Sequence, residues 1–88
     1  MVRVGVIGVG HIGAHHARIY SQIPGVQLVA VVDTDQKRRE KVAREYNTTG
    51  YANHGEILDK VDAVSVVVPT DLHYPVAKDF LEKGVHCL

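Results

Sequence analysis

A three-layer α/β fold, built on a doubly wound parallel sheet with strand order 3-2-1-4-5, is predicted by three observations. Apolar, β-branched runs at Val2–Ile7, Val26–Val32 and 62–68 alternate with amphipathic stretches, the pattern of buried parallel strands joined by helices. The first run opens directly into Gly8-Val9-Gly10-His11-Ile12-Gly13, a glycine hexad spaced G-x-G-x-x-G. The second run closes on Asp33, about twenty residues beyond the last glycine. Alternation of this kind makes βαβ units with right-handed crossovers, and places a ligand crevice at the carboxyl ends of strands 1 and 4.

The elements follow in order. After the glycine turn, residues 12–23 read as a helix with Ile12, His16, Ile19, Tyr20 and Ile23 on its core face. Pro24-Gly25 ends it, and Val26–Val32 forms the second strand. Residues 35–46 are strongly charged with a short stripe of Val42, Ala43 and Tyr46, so they predict a surface helix. Glu40 and Arg44 are placed as an i,i+4 pair on it, and Asn47 as its end. Residues 49–52 form a brief strand, and Asn53 caps a short helix over 55–60.

Residues 62–68 make the next buried strand, which Pro69 stops. The last helix is predicted over 72–83, with Val76, Ala77, Phe80 and Leu81 facing the core and Pro75 in its first turn. Gly84 caps it, and residues 85–88 begin another strand.

Bulk properties narrow the classes. Eighty-eight residues predict one small domain, and 45% hydrophobic with 23% charged content predicts a globular chain. Ten basic and ten acidic residues balance, with no basic stripe, so neither nucleic acid nor an anionic membrane is an expected partner. No apolar stretch reaches membrane-spanning length, and Arg3 interrupts the N-terminal run that a secretory signal would need. The lone Cys87 excludes an internal disulfide framework and is expected to be inert in a buried strand. A cytoplasmic setting follows as the expectation.

The glycine hexad and Asp33 together predict a nicotinamide-dinucleotide site. Gly8 permits the tight turn, Gly10 lets backbone approach a pyrophosphate, and Gly13 lets the helix pack close to the strand. Val9, His11 and Ile12 complete the loop, with the His11 N–H available to a phosphate at the helix N-terminus. Asp33 accepts from a ribose diol, and its charge repels a 2′-phosphate, favouring NAD without excluding NADP. Arg38 and Arg39 stand against that preference, each reaching either the adenine face or a 2′-phosphate. His11 and His15 share a helix face, but no third ligand accompanies them, so they read as surface histidines. His16 is expected to be a hydrogen-bonded core residue, and His54 and His86 carry no signal. Pro69 and Thr70 sit at the end of strand 4, where the Thr70 hydroxyl either meets the cofactor or starts a helix cap.

The opening V-G-V-I-G-V-G-H-I-G, the strand end V-A-V-V-D at Asp33 and the segment V-V-V-P-T-D-L-H ending at His73 carry a resemblance, as does A-K-D-F-L-E-K-G-V-H-C-L ending at Leu88. Together they resemble the N-terminal Rossmann domain of the glucose–fructose oxidoreductase/inositol dehydrogenase/rhizopine catabolism family, over nearly the whole chain. The resemblance implies an NAD(P)-dependent dehydrogenase acting on a secondary hydroxyl of a sugar, inositol or nucleotide-sugar, with a homo-oligomeric full-length form. It assigns Arg38 to the adenine. His73 is assigned to the nicotinamide end, beside a local structural bond as its other role. Asp71 departs from the family, which often has Asn there.

The family's catalytic lysine belongs to a Glu-Lys-Pro motif expected past Leu88, and its substrate domain follows that. Residues 1–88 are therefore expected to be a truncated cofactor domain with no catalytic residue, binding dinucleotide without turnover. A non-catalytic nucleotide sensor is the second reading. An S-adenosylmethionine methyltransferase is a third, opposed by the G-x-G-x-x-G spacing and the P-T-x-x-H element.

Overall fold

The computed structural model describes residues 1–88, all of the chain. Five parallel strands form one sheet in the order β3-β2-β1-β4-β5, as the alternating pattern predicts. They are β1 (Val2–Ile7), β2 (Val26–Val32), β3 (Thr49–Tyr51), β4 (Ala63–Val66) and β5 (His86–Cys87). Three α-helices, α1 (His11–Tyr20), α2 (Gln36–Glu45) and α3 (Thr70–Glu82), cover its faces with a single 3₁₀ turn at His54–Ile57. No helix is long and apolar enough to cross a membrane.

The pleat sorts side chains into two cores. Val4, Val6 and Val31 pack with Ala17 of α1 and with Val42 and Ala43 of α2. Ile7, Val32, Val64 and Val66 pack on the opposite face with Ile57, Ala77 and Phe80. A register shift between Val4 and Gly5 skips Val29 of β2. That bulge explains why Leu28 and Ala30, two apart, fall in different cores.

The buried face of α1 differs from the expected stripe. Gly13 and Ala17 are its buried residues, while Ile12, Ile19 and Ile23 are exposed. Small residues win that face because α1 lies close on the sheet, and long isoleucines do not fit beneath it. His16 is only half-buried, edge-on to Tyr20, and makes no hydrogen bond; the core position goes to Tyr20, whose hydroxyl meets the buried Ser65 Oγ at 2.5 Å. Glu40 likewise departs from expectation, accepting from Gln36 Nε2 at 3.1 Å rather than pairing with Arg44.

Helix α3 begins two residues earlier than predicted, so Pro75 lies beyond the first turn, inside the helix. Its missing N–H leaves the Asp71 carbonyl without its i+4 donor, at an exposed end of the helix. Leu81 is exposed, and Ala77 and Phe80 alone are fully buried on that helix. Its C-terminus closes in a Schellman arrangement: Gly84, at φ +77°, donates to Leu81 O, and Val85 donates to Phe80 O at 2.9 Å. Asn47, at φ +53°, ends α2 in the same left-handed way. Where a helix was expected over 55–60 there is one 3₁₀ turn, capped by Asn53 as predicted. Cys87 is half-buried at a sheet edge, and burial pushes its thiol up.

Candidate cofactor site

The glycine turn is built from three glycines with different physical needs. Gly8 leaves β1 at φ +89° while its N–H still donates to Val32 O at 2.7 Å, and a Cβ there would run into the Val67 carbonyl. A Cβ on Gly13 would strike the carbonyl oxygen of Gly8, so α1 can pack on the turn only without a side chain. Gly10 is different: its Cβ position meets nothing but the tip of Arg38, at 3.9 Å. The space above Gly10 is therefore left for something outside the chain.

Four N–H groups, of Gly10, His11, Ile12 and Gly13, find no acceptor in the protein. They cluster at the N-terminus of α1, which has no acidic residue in its first turn. Unpaired donors and the positive end of a helix dipole favour an anion there.

Asp33 sits beside them at the end of β2, buried, with its side chain only 8% exposed. Val9 N–H donates to Oδ2 at 3.0 Å, and Asp35 N–H donates to Oδ1 at 2.9 Å. A carboxylate has about four lone-pair sites, so each oxygen keeps one for a ligand hydroxyl. Two adjacent acceptors on a fixed carboxylate match the two donors of a ribose diol.

The two arginines separate. Arg38 Nη1 lies 3.6 Å from Asp33 Oδ2 on a half-exposed side chain. Arg39 turns to the backbone instead, donating to the carbonyls of Asp33 and Thr34 at 3.2 and 3.4 Å. Asp35 caps α2 by accepting from Arg38 N–H at 3.0 Å, and that bond holds its carboxyl below the usual range.

These groups open on one cleft of about 550 Å³. Of the residues expected at the site, Gly8, Gly10, Asp33, Arg38 and Pro69 line it. Val9 reaches it only through the N–H given to Asp33, since its side chain is buried in the core. Thr70 and His73 lie exposed on the first turn of α3, outside the lining. His11 and Ile12 line a separate shallow depression with His15 and Tyr46. His15 Nδ1 there sits 3.2 Å from Nη2 of the Arg18 guanidinium, and no group of three or more potential ligands is positioned for a metal.

The floor beside Asp33, whose N–H donates to Tyr51 O at 3.1 Å, was not foreseen. Ala52, Asn53 and His54 line the cleft because the sheet order sets the end of β3 beside the end of β2. His54 is held by Asp79 Oδ2 at 2.8 Å from its Nε2 and leans on the Phe80 ring. The legible signal was the Asn53-x-x-Glu56 spacing, which forms a capping box with Asn53 N–H donating to Glu56 Oε2 at 3.2 Å.

Residues 2–88 match the model of an oxidoreductase family with an NAD-binding Rossmann fold. The UDP-N-acetylglucosamine 3-dehydrogenase of Acidithiobacillus ferrooxidans is 44% identical over 87 residues, which are 99% of this chain and 27% of that protein. Its crystal structure superposes with a TM-score of 0.92, covering 99% of this chain and 28% of that one. A glycosyl hydrolase family 109 protein of Streptomyces filamentosus is 35% identical over 97% of this chain and 20% of its own length. The NAD(+)-dependent scyllo-inositol 2-dehydrogenase of Bacillus subtilis is 38% identical over 94% of this chain and 25% of its own. The chain thus spans about a quarter of the length of such relatives. By this match it belongs to the glucose–fructose oxidoreductase/inositol dehydrogenase/MocA family of oxidoreductases, as an NAD-binding Rossmann domain.

Proposed function

We propose that the cleft holds NAD(H) and supplies the cofactor half of a hydride transfer to or from a secondary alcohol of a sugar, inositol or nucleotide-sugar. The observation that carries this reading is the buried Asp33 carboxylate, fixed by Val9 and Asp35 N–H groups with two acceptor sites to spare beside the open face of Gly10. Gly8 to Gly13 frame the pyrophosphate, with the free N–H groups of Gly10, His11 and Ile12 as its donors. Asp33 takes the ribose, and Arg38 borders the adenine side. Pro69 shapes the far wall, and Thr70 and His73 lie toward the nicotinamide from the first turn of α3. Bound nicotinamide supplies the hydride chemistry, and the chain binds and orients it.

No residue of this chain is assigned to proton transfer, and the parent enzyme's substrate specificity is assigned outside residues 1–88. A cytoplasmic, homo-oligomeric parent is part of the proposal; its lone free cysteine fits a reducing compartment. The hydrolase relative supports a glycoside as the second substrate class for the same cofactor half-site.

Titration of the chain with NADH, NADPH and S-adenosylmethionine tests the reading. Saturable binding of a dinucleotide, with no NADH production from a polyol panel, is the expected result. Tightest binding of S-adenosylmethionine overturns the cofactor assignment, and steady turnover overturns the division of labour.

A further inference from the structure

We propose that the β5 edge is a self-association surface, through which two copies of this chain pair β5 against β5 antiparallel and pack α3 against α3. The proposal stands apart from the cofactor reading, since Tyr74, Leu81 and Cys87 do not line the cleft.

The two edges of the sheet differ in character. Beside β3, Arg39, Glu40 and Arg44 surround Thr48 and Gly50, charged side chains of the kind that keep an edge from pairing. Residues 85–88 at the other edge carry no Lys, Arg, Asp or Glu. There His86 and Leu88 donate to the carbonyls of Asp62 and Val64, at 3.1 and 2.8 Å. Strand alternation therefore turns the N–H and C=O of Cys87, between them, away from β4 and into the open.

Helix α3 packs over both β4 and β5, with Cys87 Sγ 3.8 Å from Ala77 O. One flank of the helix is occupied: Leu72 and Val76 line the cleft, and Asp79 meets His54. The opposite flank, residues 74, 78 and 81, has no neighbour, and there Tyr74 is 72% and Leu81 60% exposed. Lys78 on that flank pairs with Glu82 of its own helix at 3.8 Å, so the surface presents both signs and does not repel a copy of itself.

One symmetry operation covers both features. A two-fold axis normal to the sheet and beside Cys87 lets each Cys87 N–H donate to the other copy's Cys87 carbonyl, and keeps both α3 helices on one face. Strands about 4.8 Å apart then set the α3 axes about 10 Å apart, a separation at which helices pack. Ala77 lies level with Cys87, so Tyr74 and Leu81 fall on either side of the axis and each meets the other residue of the second copy. A lone foreign strand or helix would cover only one of the two features. Strand β5 is only two residues long, so the helix flanks supply most of the buried area.

Sedimentation equilibrium on the wild-type chain, Tyr74→Glu, Leu81→Glu and, at the opposite edge, Arg44→Glu tests the proposal, with hydrogen exchange of the Cys87 amide as a second readout. The wild-type chain is expected to approach twice its own mass as concentration rises, and its Cys87 amide to exchange more slowly over the same range. Each α3 variant is expected to weaken association at least about tenfold. Their circular dichroism should not change, since neither side chain is in the core. Arg44→Glu is expected to associate like the wild type. A wild-type chain that stays monomeric overturns the proposal, as does a dimer whose Cys87 amide stays unprotected. Association that survives both α3 substitutions, or that grows beyond two copies, overturns it as well.

Discussion

The backbone N–H of Val9 donates to Oδ2 of Asp33 across 3.0 Å, tying the middle of the glycine turn to the end of β2. One carboxylate thereby does two jobs. It braces the loop that would hold a pyrophosphate, and its spare lone pairs face the cleft where a ribose would lie. On the proposed reading, stability and cofactor affinity are coupled at this residue.

Asp33→Asn separates the two jobs in part. An amide presents one acceptor oxygen, so either Val9 N–H or Asp35 N–H loses its partner. The expected cost is about 1–3 kcal/mol of unfolding free energy, read by urea denaturation. NADH affinity is expected to fall at least about tenfold, the equivalent of about 1.4 kcal/mol. Full stability with full affinity would remove the bracing role and the ribose role together.

The three glycines predict three outcomes. Gly8→Ala and Gly13→Ala force a Cβ onto backbone carbonyls that have nowhere to go, so both are expected to abolish cooperative unfolding. Gly10→Ala meets only ordinary contact with Arg38 and is expected to fold normally by circular dichroism. It should nevertheless lose NADH binding, because its methyl group occupies the approach to the pyrophosphate. Normal binding by Gly10→Ala would show that the turn is structural only.

At the opposite end of the sheet, Arg3 pairs with Asp62 in a two-pronged contact, and the hydrogen bond from the guanidinium holds the Asp62 carboxyl below its ordinary 3.8. A depressed acid stabilises the folded state above its unfolded value and loses that contribution as pH falls through the folded value. Asp35, held down by Arg38 N–H, acts with the same sign. Stability is thus expected to drop as pH falls below about 4, and Asp62→Asn should flatten that acid limb. An unaltered limb in thermal melts across pH 2–5 would rule the pair out as a contributor.

Phe80 is fully buried in the core beneath the cleft floor, against the His54 ring. Phe80→Ala is expected to cost about 3–5 kcal/mol, enough to unfold much of so small a domain at 25 °C. Gly84→Ala, at φ +77°, should cost only about 1 kcal/mol. Circular dichroism melts that ranked the two in the reverse order would contradict the packing described.

The strands and their order were legible because β1, β2 and β4 are long apolar runs whose period leaves little choice. Helix α1 misled because its isoleucines mark the outer surface, and the inner face is carried by Gly13 and Ala17, residues too small to register as hydrophobic. Glycine spacing and Asp33 announced the near wall of the cleft. The floor from Ala52 to His54 showed in the sequence only as a cap at Asn53, since its place in the cleft depends on β3 joining the sheet next to β2, a contact between segments distant in sequence. The separation of Arg38 from Arg39 was equally hidden, being set by which side chain clears the carbonyls of Asp33 and Thr34.

Backbone amide chemical-shift mapping of the ¹⁵N-labelled chain during NADH titration tests the central claim most directly. The largest shifts are expected at Val9, Gly10, His11, Asp33 and Arg38, with Arg3, Asp62 and Lys83 at the other end of the sheet unmoved. Shifts concentrated around Arg3, Asp62 and Lys83, or none at the glycine turn, would contradict the assignment of this cleft to the cofactor.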